Sequence, residues 1–449
     1  MRGSWRKKLL IVTTCTVALI AVVVAIWRWS LASGNNRTLA DLRRAGIPTN
    51  REELNEWYSR VPAEKNAAPV IIQAMEAARV RPPEVQQMKL LGRGERLTNA
   101  AIVKAYVETN QSVLDLVKTA LERPQCRYAV NFLRGPYADF EHLEPLRNLS
   151  RLVDCAALIA AERGASSEAV GHISSIVGLG RTLEGEPILL SQLVRIVMLN
   201  SAARRFERSL SLTKFSDADF TRLAGLFREA ARTNYLARGL IGERAMILPL
   251  FRAPTAEMSQ FFAGGAAAPK RPGAGELIVF PLLRASGYLE RDMRFYLEAM
   301  NKQITLSYPG PPQSLAARDV GEETADEARR KYCILAAVSL PAFSRTYTRE
   351  AEGLALVRMA VTACALQRFS NAKGSFPAEL SELVPAFIAC VEIDPCDGQP
   401  LRYKRVDNGY LLYSVGGDGR DDGGTEIDPK SGRGRPAPED VVFKVQRLK

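Results

Sequence analysis

The sequence predicts a mainly α protein: an N-terminal transmembrane helix, a large α-helical extracytoplasmic region, and a C-terminal α+β module with a long helix on a small antiparallel sheet. Three observations predict it. Residues Leu9–Ile26 are eighteen uncharged, mainly apolar positions, enough at about 1.5 Å per residue to cross a bilayer. From residue 38 to residue 250 the apolar side chains recur at steps of three and four, with Arg and Glu between them, the period of helices buried on one face. Beyond residue 400 the period becomes an alternation around an Asn-Gly pair, a strong hairpin signal. At 449 residues the chain exceeds a single core. Its composition divides it into a membrane anchor (1–34), a helical domain (35–251), a Gly/Ala/Pro-rich linker or loop (252–276), a helical connector (277–346) and the α+β module (347–449).

Arg2, Arg6, Lys7 and Lys8 precede the apolar run, and Trp5, Trp27 and Trp29 stand at its two ends, as in an interfacial aromatic belt. The basic cluster favours a cytoplasmic N-terminus with the bulk of the chain outside, a bias that Arg28 and Arg37 weaken. Ser30-Leu31-Ala32 resembles a cleavage site, so a removed signal peptide is the competing reading. The length of the run and its Trp-Arg-Trp end favour an uncleaved anchor. Cys15 is no lipobox cysteine, because Thr14 precedes it and most of the apolar run follows it.

The net charge is +12 and the pI about 9.4. The Lys and Arg are interleaved with Glu and Asp along helical segments, without a long cationic block or basic–aromatic interleaving. That pattern argues against nucleic acid as a partner and suits anionic lipid headgroups or cell-wall polymer. Six cysteines lie beyond the span: Cys126, Cys155, Cys333, Cys364, Cys390 and Cys396. An oxidising compartment permits disulfides, and Cys390 and Cys396, flanking Ile393-Asp394-Pro395, are the pair expected to be bridged. The alternative is two small buried hydrophobes.

After a polar juxtamembrane stretch (Ser33–Arg37), Leu39, Leu42 and Ala45 lead to a stop at Gly46-Ile47-Pro48. Thr49 or Asn50 then caps REELNEWYSRV, with Glu52 or Glu53 three residues on. Further helical periods cover 99–121, 143–163, 166–184, 188–211 and 216–235. Phe261 and Phe262 in the linker read as loop anchors or as a docking point on a surface. Helices resume over 277–303, pause at YPGPP (308–312), and continue to a long one near 347–371 with Leu354, Val357, Val361, Ala365 and Phe369 in one stripe. Gly374 supplies its stop. LRYKRV and GYLLYSV flank Asp407-Asn408-Gly409, and DVVFKVQRL adds a third strand, with Val441, Phe443 and Val445 alternating.

Residues 416–424 (GGDGRDDGG) hold five glycines and three aspartates. An EF-hand register starting at Asp418 puts Arg420 and Pro429 where carboxylates are needed, and strands flank the loop where helices should. A different likeness fits. Gly374-x-Phe376-Pro377, Leu380, Leu383, Asp394-Pro395, Gly398, Tyr403, Tyr413-Ser414-Val415-Gly416-Gly417-Asp418-Gly419, Gly423-Gly424 and Asp440-Val441 follow in order. With them the last hundred or so residues resemble the C-terminal module of the major pseudopilin of bacterial type II secretion. The resemblance implies a structural Ca²⁺ in this loop, with Asp418 the first ligand candidate and Asp440 the second. Asp421, Asp422 and Asp428 lie where the loop departs in length from that family. Glycine freedom and crowded carboxylates suit a cation ringed by oxygens, while a solvated turn also favours Asp and Gly.

The chain departs from a pseudopilin in two ways. No Glu lies within Leu9–Ile26, and over three hundred residues separate the span from the module, so processing and assembly as a pilin subunit are not expected. The N-terminal part, with IPTNREELNEWYSRVP and KNAA, resembles bacterial membrane-anchored proteins of uncharacterised activity that end in the same module. The implied location is the bacterial inner membrane, with a single span and a periplasmic body.

Local catalytic signatures are scarce. The two histidines, His142 and His172, are thirty residues apart, and no His-Glu-x-x-His, Cys-x-x-Cys, Gly-x-Ser-x-Gly or phosphate-binding Gly-Lys loop occurs. Asp139, Glu141 and Glu144 beside His142 read as an acid–base cluster or, more simply, as an acidic helix start; His172 reads as structural. The sequence thus favours a membrane-anchored extracytoplasmic structural or interaction protein, an accessory of an envelope or type II secretion-like assembly with protein partners, rather than an enzyme. The alternative is an enzyme or ligand-binding protein using a cleft among the helices near 126–250.

Overall fold

The computed structural model describes residues 2–79, 100–231, 235–264, 271–340, 344–425 and 440–446. It begins with α1 (Arg2–Arg44), one helix of 43 residues, about 65 Å long at 1.5 Å per residue. Its apolar stretch is exposed and is long and apolar enough to cross a membrane. Beyond Trp29 the same helix turns a face inward and buries Leu31, Asn35 and Leu39. The polar juxtamembrane stretch Ser33–Arg37 continues the helix, because its residues make a helix contact. Asn35 Nδ2 donates to the Glu290 carbonyl at 2.8 Å, and a Cβ at Gly34 would meet the Arg294 guanidinium at 2.2 Å.

Helix α2 (Arg51–Trp57) opens on Asn50, whose Oδ1 accepts the Glu53 N–H at 2.8 Å, while the Glu53 carboxylate returns to the Thr49 N–H at 2.7 Å. After α3 (Ala68–Ala77), the helix expected over 99–121 is two, α4 (Ala100–Thr109) and α5 (Gln111–Leu121). Asn110 between them is fully buried: its Nδ2 donates to the Tyr106 carbonyl and its Oδ1 accepts the Arg79 N–H, each at 2.8 Å. Helices α6 (Leu143–Glu162), α7 (Ser166–Arg181) and α8 (Leu189–Leu212) fall close to their expected bounds. Helix α9 (Asp217–Ala230) starts in a Ser216–Asp219 capping box, and α10 (Tyr235–Ile247) follows.

Within the stretch 252–276, residues 265–270 lie outside the described residues. Pro254 starts α11 (Thr255–Phe262), which buries Met258 and Ser259. Next come α12 (Ala274–Ala285), α13 (Tyr288–Ser307), α14 (Ala316–Arg330), α15 (Ile334–Ser339) and the long α16 (Ser344–Lys373). Gly374 ends α16 at φ +80°, a left-handed stop that only glycine takes without strain. The predicted stripe on α16, Leu354 to Phe369, is buried throughout. The sheet is antiparallel in the order β1 (Arg402–Val406), β2 (Gly409–Ser414), β3 (Val441–Gln446), with Val406 opposite Gly409 across the hairpin.

The terminal module is not a separate core. One hydrophobic core joins Leu54, α6 to α9, the α16 stretch Ala355–Phe369 and the sheet's Tyr410, Leu412, Phe443 and Val445. Phe443 on β3 meets Phe206 on α8 at a ring distance of 6.4 Å. Beside it the Glu207 carboxylate accepts the Lys444 N–H at 2.6 Å, and Arg204 donates to the Val442 carbonyl. A second core gathers Leu39 of α1, Leu240, Phe251, Tyr296, Met300 and Tyr347 around α13. Helix α16 links the two cores, so the expected boundary at residue 347 falls inside a shared packing unit.

Candidate functional site

The base of the C-terminal loop is built on a residue that the sequence offered only as a landmark. Asp394, fully buried, accepts from Ser414 Oγ (2.7 Å), Cys396 N–H (2.9 Å), Val415 N–H (3.1 Å) and Arg402 Nη1 (2.7 Å). Arg402 also forks onto the Asp397 carboxylate. The Asp-Pro and Tyr-Ser-Val-Gly landmarks therefore meet in one hub that fixes where β2 ends. From there the chain turns through Gly416, Gly419, Gly423 and Gly424, all at positive φ. At Gly424 a Cβ would also meet Leu411 Cδ2 at 2.7 Å and Tyr413 Cδ1 at 2.9 Å, so close approach and left-handed backbone both demand glycine there.

The four aspartates proposed as ligands do not all converge. Asp440 is buried, and its carboxylate accepts the Gly424 N–H at 2.7 Å, with the Asp422 N–H at 3.5 Å. Burial pushes its carboxyl pKa upward; the two N–H groups oppose that, and the nearby negative charges of Asp422 and Asp421 add to it. Asp421 Oδ1 accepts the Gly423 N–H at 2.9 Å, and its other oxygen lies 3.8 Å from Arg402 Nε. Asp418 instead closes a local turn, accepting the Arg420 N–H at 3.0 Å on an exposed side chain. Asp428 lies outside the described residues. Asp422 and Asp421 thus lie near enough to Asp440 for their charges to act on it, whereas Asp418 bonds within its own turn. Among the described residues no three metal-ligating side chains are close enough together to hold an ion.

Cys390 and Cys396, the pair expected to be bridged, stand here as free cysteines. Cys396 is buried against Ala351 and Val415, with its thiol pushed up to about 12 by desolvation, while Cys390 is exposed. The alternative reading, a small buried hydrophobe, holds for Cys396.

In the helical region His142 finds a partner the sequence did not suggest. Its Nε2 lies 3.0 Å from the Glu186 carboxylate, forty-four residues on, and its ring stacks on Tyr128 at 4.3 Å. Glu186 also accepts from Ser191 Oγ at 2.6 Å, and both are fully buried. The order Ser–Glu–His puts the carboxylate in the middle, so the imidazole cannot take the serine proton as a triad requires. Asp139 pairs with Arg134, and Glu144 with Arg147 at 2.8 Å, so these flanking acids brace the surface. His172 is buried; desolvation lowers its pKa, and Glu168 sits 3.6 Å away.

A cleft of about 530 Å³ opens between α5, α7 and α9, lined by Lys118, Arg123, Arg181, Arg222, Glu122 and Glu184 among others. Cys126 and Thr182 form part of its floor, and Tyr128 OH meets Thr182 Oγ1 at 3.1 Å behind it. Burial pushes the Cys126 thiol up to about 12, which leaves it a poor nucleophile at neutral pH. No protein-family model, curated protein or solved structure matches this chain.

Proposed function

We propose that this chain is a single-pass protein of the bacterial inner membrane, with a cytoplasmic N-terminus and a periplasmic body that serves as a structural or interaction partner in an envelope or type II secretion-like assembly. The observation that carries this reading is α1 itself. Its apolar stretch is exposed, and its continuation is buried in the body through Leu31, Asn35 and Leu39. A flexible tether would leave the body free to tumble; a helix buried at three points holds it at a fixed height and orientation, as a scaffold needs.

The pseudopilin-like module adds a presented edge. Its hub at Asp394 and its glycine turns support a rigid loop, and the Ca²⁺ implied by the pseudopilin resemblance would draw on Asp440 together with loop backbone carbonyls, since among the described residues no three ligating side chains meet. If so, the purified chain melts several degrees higher in Ca²⁺ than in chelator, since a ligand at a hundred times its Kd stabilises by about 2.7 kcal/mol. An unchanged melting temperature removes the ion and leaves the anchor reading intact. The functional claim is tested by affinity purification from detergent-solubilised native membranes. A stoichiometric envelope protein that is lost when residues 416–424 are replaced is the expected result, and a chain that purifies alone contradicts it. The cleft lined by Lys118, Arg123, Arg181 and Arg222 together with Glu122 and Glu184 favours a second reading, an extracytoplasmic ligand-binding protein or enzyme.

A further inference from the structure

Helix α12 (Ala274–Ala285) buries none of its residues. It rests on the body through Phe280, which stacks on Phe262 at 5.9 Å, and through Leu283. Glu276, at its first turn, accepts the Gly273 N–H and Ser259 Oγ, each at 2.7 Å. The opposite face carries Leu277, Ile278, Pro281 and Leu282, spaced one, four and five residues apart on one side of a helix. Leu277, Ile278, Val279 and Leu282 are 50–63 % exposed, the same range as the residues of the apolar stretch of α1. A contiguous bare apolar face of this kind calls for a cover.

Its position says what the cover is. Helices α1 and α13 run side by side in the same direction. A Cβ at Gly287 would lie 3.2 Å from the Trp27 ring and 2.5 Å from Arg28 Cγ. Farther along both helices, Glu290 meets Arg28 at 3.6 Å and Asn35 through its carbonyl, and Arg294 lies over Gly34. The start of α13 therefore sits at the end of the apolar stretch of α1, where Trp27 and Trp29 mark the water boundary. Helix α12 ends two residues before Gly287, and so its C-terminal end reaches the same level. Exposed Ile334 belongs to this end too, because the Asp292 carboxylate accepts the Leu335 and Ala336 N–H groups at 2.8 and 3.2 Å.

We propose that α12 is a second membrane contact: its Leu277, Ile278, Pro281 and Leu282 face enters the interfacial layer of the leaflet through which α1 leaves. The lipid surface is the occupant because the face continues the exposed apolar band of α1. Phe261 and Phe262, expected either to anchor a loop or to dock on a surface, brace α12 from behind. Two attachment points fix the rotation of the body about α1 as well as its height.

This inference rests on the membrane-anchor reading, and the test separates the two. A diazirine-bearing residue is placed singly at Val22, Ile278 or Val384 in the full chain, which is reconstituted in nanodiscs of phosphatidylethanolamine and phosphatidylglycerol. Lipid adducts are then counted by mass spectrometry after illumination. Ile278 should give adducts within about threefold of Val22 and roughly tenfold above Val384, as an interfacial residue does relative to a water-exposed one. Adducts at Val22 with Ile278 no higher than Val384, or an Ile278 cross-link to a second copy of the chain, overturn the second contact and leave the anchor standing. An absence of lipid adducts at Val22 overturns both.

Discussion

Replacing Asp394 with Ala should destabilise the protein by roughly 3–5 kcal/mol, the cost of removing one partner from a buried, multiply hydrogen-bonded ion pair. Four donors lose their acceptor at once: Ser414 Oγ, the Cys396 and Val415 N–H groups and Arg402 Nη1. Each buried donor left unpaired carries about 1–3 kcal/mol, and Arg402 keeps only the Asp397 side of its fork. Asp394→Asn should fall between Ala and the native residue, since an amide oxygen still accepts two of the bonds. The damage should be local first. Protease cutting within 416–424 should rise in the Ala variant before the helical core melts, because the hub sets where β2 ends. Equal melting temperatures and equal cutting rates for the native chain and Asp394→Ala would show that the hub is incidental.

Stability should fall as pH rises from about 5 to about 8.5. Glu350, on α16, is buried, and desolvation pushes its carboxyl up to about 8; the attraction of Arg195 offsets only part of that. Arg195 is committed elsewhere, donating to the Ala230 carbonyl at 2.8 Å and stacking 4.0 Å from the Tyr235 ring. Glu243 is pushed to about 7 and Asp292 to about 6, again mainly by burial. A carboxyl whose pKa is raised on folding favours the native state below its unfolded value, near 4.5 for Glu. That contribution is lost as pH climbs through the folded value. For Glu350 the loss is on the order of 3–4 kcal/mol. Glu350→Gln should remove about half of the slope, Glu243 and Asp292 supplying the rest, and melt higher than the native chain at pH 8.5. A native melting temperature that is level or rising over this range contradicts the buried, protonated carboxyl.

Much of the architecture was legible because it is written in local chemistry. Asn50 with Glu53, and Gly374, mark helix ends through local chemistry. The alternation of Val441, Phe443 and Val445 and the Asn-Gly turn specify the sheet in the same way. What escaped depends on partners far along the chain. Asn35 looks like a loop residue until Glu290 accepts its bond, 255 positions later. Asn110 looks like a surface polar residue until Arg79 and Tyr106 satisfy it. Glu186 carries no signal that it will meet His142, and Phe443 none that it will pack on Phe206.

The loop illustrates the same limit. Its glycines were rightly read as backbone freedom, and four of them take positive φ. Among its aspartates the pseudopilin resemblance puts Asp418 first and Asp440 second. In the folded loop Asp440, a buried carboxylate facing two loop N–H groups, organises more of the turn than Asp418, an exposed one closing its own. The exposed face of α12 was hidden for a further reason: an apolar helix at a membrane surface and one in a protein core read alike until burial is known.

The central claim is that α1 crosses the membrane and carries the body outside the cytoplasm. Cys390 offers the most direct measurement, because it is exposed while Cys396, Cys155, Cys333 and Cys364 are buried. Spheroplasts expressing the full chain are treated with a membrane-impermeant maleimide, and the membranes are then washed with alkaline carbonate. The account predicts Cys390 modified in intact spheroplasts, on a chain that stays in the washed membrane pellet. A chain released by the wash, or a Cys390 that reacts only after the spheroplasts are broken, would contradict it.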